Sequence, residues 1–220
     1  MSIFKNAKNI KNYIKSAWPK KITPPMRKEL TNRILEKNKK DYERLEVEFS
    51  ASRFLNWPEV EILAEEYVKS GMRILDLGCG NARLYPIIKK HNAEYLGMDS
   101  CRSLINITKE KYPEIDCREG EATDLKLDNN FFDIIFYVAV LHHLPSAELR
   151  LKSLKECFMV LRPGGLFICS VWNLVSSERI LEQATQRVRR PQLYEGLGLR
   201  DFLIPWKTDN GEIIHRYYYV

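Results

Sequence analysis

Residues 74–83 read Ile-Leu-Asp-Leu-Gly-Cys-Gly-Asn-Ala-Arg, an apolar run that breaks into a glycine turn, and no other segment of this 220-residue chain restricts its fold so tightly. Ile74, Leu75 and Leu77 suit a strand buried on both faces, as in a parallel sheet. Gly78 and Gly80 lack a Cβ, so the backbone can turn sharply and pass close to a ligand, and Asp76 places a carboxylate beneath the turn. A lone Gly-x-Gly also fits an ordinary strand-to-helix turn, so spacing has to decide. The dinucleotide pattern Gly-x-Gly-x-x-Gly asks for glycine at position 83, where this chain has Arg83. In nucleoside-binding sheets of this kind an acid closes the second strand about 20 residues on and holds the ribose hydroxyls. Here Tyr-Leu-Gly-Met-Asp (95–99) ends in Asp99, 19 residues after Gly80. The spacing supports a nucleoside ligand without choosing which one.

Downstream, a polar loop at 119–124 follows a short strand at 115–118. Residues 132–138 read as a fully buried strand, and Leu-Arg-Pro-Gly-Gly (161–165) reads as a helix end and turn before a strand at 166–171. Further strands are expected near 73–77 and 94–98, with helices near 82–91, 101–111, 147–160 and 176–189. Such alternation means βαβ units and a parallel sheet with helices on both faces. In this order the elements resemble a class I S-adenosylmethionine-dependent methyltransferase, an α/β Rossmann-like fold. The resemblance implies S-adenosyl-L-methionine as cofactor, held by Asp76, Gly78, Gly80, Asp99, Ser100, Glu121, Ala122 and Val138. Asp99 would take the ribose and Glu121 the adenine amino group. Two departures stand out: Ala82 where the family more often has glycine, and Glu121 where it more often has aspartate.

Composition narrows the setting. The five cysteines (79, 101, 117, 157 and 169) form no Cys-x-x-Cys pair, so neither a zinc site nor a disulfide framework is suggested, and free thiols in a reducing cytoplasm fit best. No metal is expected. No apolar run approaches the roughly 18 residues of a transmembrane segment, and the N-terminus lacks a signal-peptide core. Charge is uneven: residues 1–40 hold twelve Lys/Arg against Glu29 and Glu36, a net +10, which leaves −4 on the rest of a chain whose total is +6. A cationic extension points to a polyanionic partner, nucleic acid or an anionic membrane surface, with a solvated tail as the plain alternative.

Ile3, Phe4, Ala7, Ile10, Ile14, Ala17 and Trp18 recur at helical spacing, which predicts a basic amphipathic helix over 2–17 that stops at Pro19. A second helix is expected over about 26–47, and a third from Pro58 to Ser70. The chain divides into a basic helical extension, 1–40, and a methyltransferase domain, 41–220. After the fifth strand too little chain remains for the antiparallel pair that usually ends such sheets. A parallel sheet in order 3-2-1-4-5 with an uncovered edge on strand five is therefore expected, from a minimal variant or a fragment. Residues 202–206 and 213–220 could form a hairpin folded over the acceptor side.

Outside the cofactor segments, four clusters resemble one family more narrowly: Phe-Ser-Ala-Ser-Arg-Phe-Leu-Asn-Trp-Pro (49–58), Val-Ala-Val-Leu-His-His-Leu-Pro (138–145), Val171-Trp172, and Ile-Pro-Trp-Lys (204–207) with Arg-Tyr-Tyr-Tyr (216–219). They are similar to the tRNA methyltransferases that esterify 5-carboxymethyluridine at the wobble position, and to their prokaryotic relatives. That family commonly has His where this chain has Tyr219. The resemblance implies His142 and Arg53 at the reacting groups, and Arg53, Trp57, His142, Arg216 and Tyr217 on the substrate. It also implies tRNA or another RNA as partner, and a small activator subunit of the kind eukaryotic relatives need. A carboxylate acceptor is already ionised at neutral pH, so the chemistry needs positioning more than a strong general base. Two other readings stay open, a methyltransferase acting on quinones or small metabolites and a catalytically silent cofactor-binding module.

Overall fold

The structure, a computed structural model, describes residues 2–4, 26–52, 57–172 and 177–219. Five parallel strands form its centre: β2 (Arg73–Leu77), β3 (Glu94–Asp99), β4 (Asp116–Glu119), β5 (Phe132–Val138) and β6 (Leu161–Ser170). Along the sheet they run β6-β5-β2-β3-β4, the 3-2-1-4-5 order expected of a class I methyltransferase. β2 sits in the middle, with Leu75 opposite Leu96 of β3 on one side and Ile135 of β5 on the other.

The alternation of side chains along each strand gives the sheet two cores. Leu75, Leu77, Ile135, Tyr137 and Phe167 pack on one face with Leu154, Cys157 and Val160 of helix α6 (Ala147–Val160). Ile74, Ile134, Phe136 and Ile168 pack on the other with α3 (Pro58–Tyr67) and Ile88 of α4 (Tyr85–Lys90). Fully burying each such side chain contributes about 1.5–3 kcal/mol, which is why the positions packed into the two cores are apolar. Asp133 is an exception: its carboxylate accepts from the Arg73 backbone N–H (2.6 Å) and pairs with Arg162 (2.6 Å) at the edge of the sheet. α6 is capped by Ser146, whose Oγ accepts from the Leu149 N–H at 3.2 Å.

Three expectations need correction. The turn at 161–165 is not a gap before the last strand: pairing already begins at Phe132↔Leu161 and resumes at Ile134↔Leu166, so the extra residues bulge out through Gly164 at φ +80°. Ser2–Phe4, assigned by periodicity to a helix over 2–17, is a short strand, β1, antiparallel to Phe167–Cys169 of β6. The outer edge of β6 is therefore covered along that stretch, because the unpaired backbone of an edge strand will take any extended segment that reaches it. The remainder of the expected helix, 5–17, lies outside the described residues.

The second helix is α1 (Lys28–Arg44), followed by α2 (Glu46–Ser52), and position 40, where the extension was expected to end, falls inside α1. α1 buries Leu30, Ile34, Asn38 and Asp41 along one stripe. Leu30 and Ile34 share a small core with Leu203 and Tyr217 of the C-terminal hairpin, formed by β7 (Asp201–Lys207) and β8 (Ile213–Tyr219). This hairpin is a two-stranded sheet of its own rather than part of the main one. Earlier in the chain α5 (Arg102–Lys111) links β3 to β4, and α7 (Ser177–Arg189) lies between β6 and the hairpin. Within the hairpin core the hydroxyl of Tyr217 donates to Asp201 Oδ1 (2.5 Å), while Asp201 Oδ2 accepts from the Gly198 N–H (2.5 Å). Replacing Tyr217→Phe should lower the unfolding free energy by about 1–3 kcal/mol, the cost of leaving a buried acceptor without its donor. Urea denaturation reads this directly, and cofactor affinity should not change.

Candidate active site

A cavity of about 440 Å³ opens where the carboxyl ends of β2, β3 and β5 meet, a volume in the range of small-ligand pockets. One wall is the glycine turn. Gly78 (φ +74°), Gly80 (φ +57°) and Ala82 (φ +51°) adopt left-handed backbone conformations, and Ala82 is fully buried, so the methyl group standing where glycine is commoner is tolerated. A Cβ at Gly78 would lie 2.1 Å from Val140 Cγ2, which fixes glycine there. The Gly78 N–H donates to the Met98 carbonyl (2.7 Å), and the Gly80 N–H donates to Asp99 Oδ2 (2.9 Å). Asp99 Oδ1 accepts from the Cys101 N–H (2.9 Å), so the carboxylate is held rigidly at the mouth of the turn.

Asp76, Gly78, Gly80, Asp99, Ser100, Glu121, Ala122 and Val138 all line this cavity. Its acids are electrostatically strained. Burial pushes the Asp76 carboxyl up to about 6, against the opposing hydrogen bond from the Tyr95 hydroxyl (2.7 Å). Burial also raises Asp99, offset by the backbone N–H groups of Cys101 and Gly80, with Glu121 adding repulsion. Three carboxylates around one space suit a ligand that brings positive charge and hydroxyl donors.

The opposite wall is aromatic and cationic. The 3-10 turn Leu141–His143 follows β5 and brings in His142, which stacks on Tyr218 (centroids 5.1 Å apart) and lies beside Trp172 (5.8 Å). His142 Nδ1 accepts from the Trp172 N–H (3.3 Å), and its buried Nε2 has no partner. Burial, then His143 and Arg216, press its pKa down to about 2, so the ring is neutral. Arg216 lines the same wall, buried, with its guanidinium 4.6 Å from the Trp206 ring centre and its Nε also without a partner.

The other expected substrate residues divide. Trp57 lines the cavity with the guanidinium of Arg83 4.2 Å above its ring. Tyr217 does not reach the cavity: strand alternation turns it to the hairpin core and leaves Arg216 and Tyr218 on the cavity side, so its expected substrate role is withdrawn. Arg53 lies outside the described residues. Helix α1 supplies side chains that sequence reasoning did not find. Tyr42 and Asn38, one turn apart, line the cavity with Phe49 from α2. Only the 38/42 spacing hinted at a shared face. Among the described residues no cluster of His, Cys, Asp or Glu could hold a metal ion.

Comparison with known proteins agrees with this geometry. Residues 75–169 match the methyltransferase domain family. A tRNA (carboxymethyluridine(34)-5-O)-methyltransferase from Arabidopsis thaliana is 32% identical over 69% of this chain, and a mouse protein of the same description is 29% identical over 80%. The chain spans only 35% and 26% of these two relatives. Among solved structures, a Haloferax volcanii methyltransferase in complex with the Trm112 methyltransferase activator superposes with a TM-score of 0.56 at 16% identity, covering 76% of this chain and 77% of that one. An S-adenosylmethionine-dependent methyltransferase from Methanosarcina mazei gives a TM-score of 0.53 at 16% identity, over 75% of this chain and 96% of that one. Strand order, domain match and relatives point the same way: residues 75–169 form a methyltransferase domain, with the strand order of the class I fold.

Proposed function

We propose that this chain methylates RNA, and that its acceptor is a carboxymethyl-type group on a wobble uridine of tRNA. The observation that carries this reading is that one cavity joins the glycine turn and its carboxylates to a buried arginine and a neutral histidine, each with an unsatisfied nitrogen. The relatives named for carboxymethyluridine methylation support the choice of acceptor.

The residues fit the cofactor. Asp99, fixed by two backbone N–H groups, keeps lone pairs that would accept from ribose hydroxyls, Glu121 and Ala122 would edge the adenine, and Asp76 would face the cationic end. When bound, S-adenosylmethionine supplies a methyl group activated on a sulfonium. The protein's own task is alignment and exclusion of water. Arg216 and His142 would orient an anionic acceptor, and a carboxylate needs no proton removed. This accords with two cavity histidines held neutral, since burial also presses His143 down to about 3. A cytoplasmic setting fits five buried, unbridged cysteines, and no helix among the described residues is long and apolar enough to cross a membrane. A small activator subunit is part of the proposal, prompted by the Haloferax volcanii complex.

Cofactor affinity should depend on pH through Asp76. Its carboxyl in the free protein titrates near 6, and a ligand carrying an ammonium and a sulfonium favours the ionised form. Binding should therefore weaken as pH falls below about 6 and level off above 7. Calorimetry from pH 5 to 8 should show this rise, and Asp76→Asn should flatten it.

Nucleoside mass spectrometry of tRNA from cells lacking the gene should show unmethylated carboxymethyluridine accumulating. Unchanged tRNA nucleosides, with a methylated small molecule lost instead, would overturn the acceptor assignment. The basic segment should contribute phosphate contacts. Replacing Lys5, Lys8, Lys11, Lys15, Lys20 and Lys21 with Gln should flatten the salt dependence of tRNA binding, because fewer counterions are released. Deleting residues 1–40 would test this poorly, since it removes β1 and most of α1.

A further inference from the structure

Tyr42 belongs to no cofactor or acceptor segment of the sequence, yet its hydroxyl is the meeting point of the acceptor wall. It stands 3.0 Å from His143 Nε2 and 3.3 Å from Arg216 Nη1, and it also bonds the Tyr218 hydroxyl. Hydrogen-bond direction can be assigned. His143 Nδ1 faces the Tyr217 carbonyl at 3.1 Å, which can only accept, so Nδ1 carries the proton and Nε2 accepts from Tyr42. Arg216 can only donate, so it donates to the Tyr42 oxygen. The ring itself is wedged edge-on against Phe49 (5.3 Å) and His143 (5.5 Å). Its helix is pinned in turn, because Asn38 Nδ2 donates to the His143 carbonyl (3.1 Å) and Asn38 Oδ1 accepts from the Tyr217 N–H (3.3 Å). One helix turn of α1 therefore holds the His142-His143 loop and strand β8 together.

We propose that Tyr42 is the positioning residue of the acceptor site. Its hydroxyl holds the Nη1 end of the Arg216 guanidinium and the His143 ring, so that Arg216 Nε and His142 Nε2, the buried side-chain nitrogens without a partner among the described residues, are kept for an anionic group of the acceptor. This deepens the proposed function and rests on its assignment of an anionic acceptor. Without Tyr42, Arg216 keeps its charge and its contacts with Trp206 and Tyr218 but loses the bond that fixes which edge it presents. The protein would still fold and bind cofactor, and would grip a carboxylate poorly.

Tyr42→Phe keeps the ring and removes the hydroxyl, and acetate is the smallest carboxylate probe. With S-adenosylhomocysteine bound, acetate titrated into wild-type protein should shift the ¹⁵Nε resonance of Arg216. Tyr42→Phe should raise the acetate Kd about tenfold, the scale of a lost hydrogen bond to a charged group, and leave the S-adenosylhomocysteine Kd within twofold. The His143 Nε2 resonance should move toward that of a free, unprotonated nitrogen. With carboxymethyluridine-bearing RNA, KM should rise by a similar factor while kcat changes less. Arg216→Lys should weaken acetate equally, and the double variant should lose no more than either single one. The proposal is overturned if acetate leaves Arg216 Nε unmoved, if Tyr42→Phe binds acetate like wild type, or if the variant loses cofactor affinity to the same degree. Tyr42-dependent acetate binding in a protein that methylates no RNA would uphold the positioning role and sink the RNA acceptor alone.

Discussion

Everything at the site hangs on the pairing of β2 with β3 on one side and β5 on the other. Because all three strands run the same way, their carboxyl ends finish together, and the chain must turn outward from each at the same edge. That places Asp76 and the glycine turn, Asp99 with Ser100, and Val138 with the histidine turn around one space. The hydrogen bond from the Gly80 N–H to Asp99 ties two of these ends directly. A parallel sheet buried on both faces resists any slip of register, since a one-residue shift would exchange its two cores.

The second organising element is the clasp formed by α1 and the C-terminal hairpin. These two pieces, far apart in sequence, bury Leu30, Ile34, Leu203 and Tyr217 together and so deliver Tyr42 and Arg216 to the same wall. The half of the cavity proposed for the donor is thus built from strand ends of the sheet. The half proposed for the acceptor is built largely from segments packed on top of the sheet. Strand ends of the central sheet are the firmest part of such a fold, while appended segments change more freely, which suits a common donor and a variable acceptor.

Charge divides along the same line. The donor half concentrates Asp76, Asp99 and Glu121, with burial raising the first two. The acceptor half concentrates Arg216 among aromatic rings, beside two histidines kept neutral by burial. A cationic donor and an anionic acceptor would each meet the complementary wall, with little proton chemistry asked of the protein.

How much of this was legible in the sequence differs by element. Runs such as 132–138 announce strands, Gly78 and Gly80 announce the turn, and the 19-residue step to Asp99 announces the second strand end, because each depends on local chain chemistry and on a repeat set by βαβ geometry. Strand order and the strand-end residues that share the cavity followed from these. The edge strand Ser2–Phe4 was read as a helix, since its apolar spacing fits either and only the open edge of β6 selects the extended form. Tyr217 was assigned to the substrate and Tyr42 to nothing. Which of three consecutive tyrosines faces the cavity is set by the register of β8 against β7, and a tyrosine on a basic helix becomes part of the site only when that helix docks. Local sequence determined the strands, the turn and their order. Tertiary packing alone decided the acceptor wall, because its residues meet through contacts between distant segments that no spacing along the chain encodes.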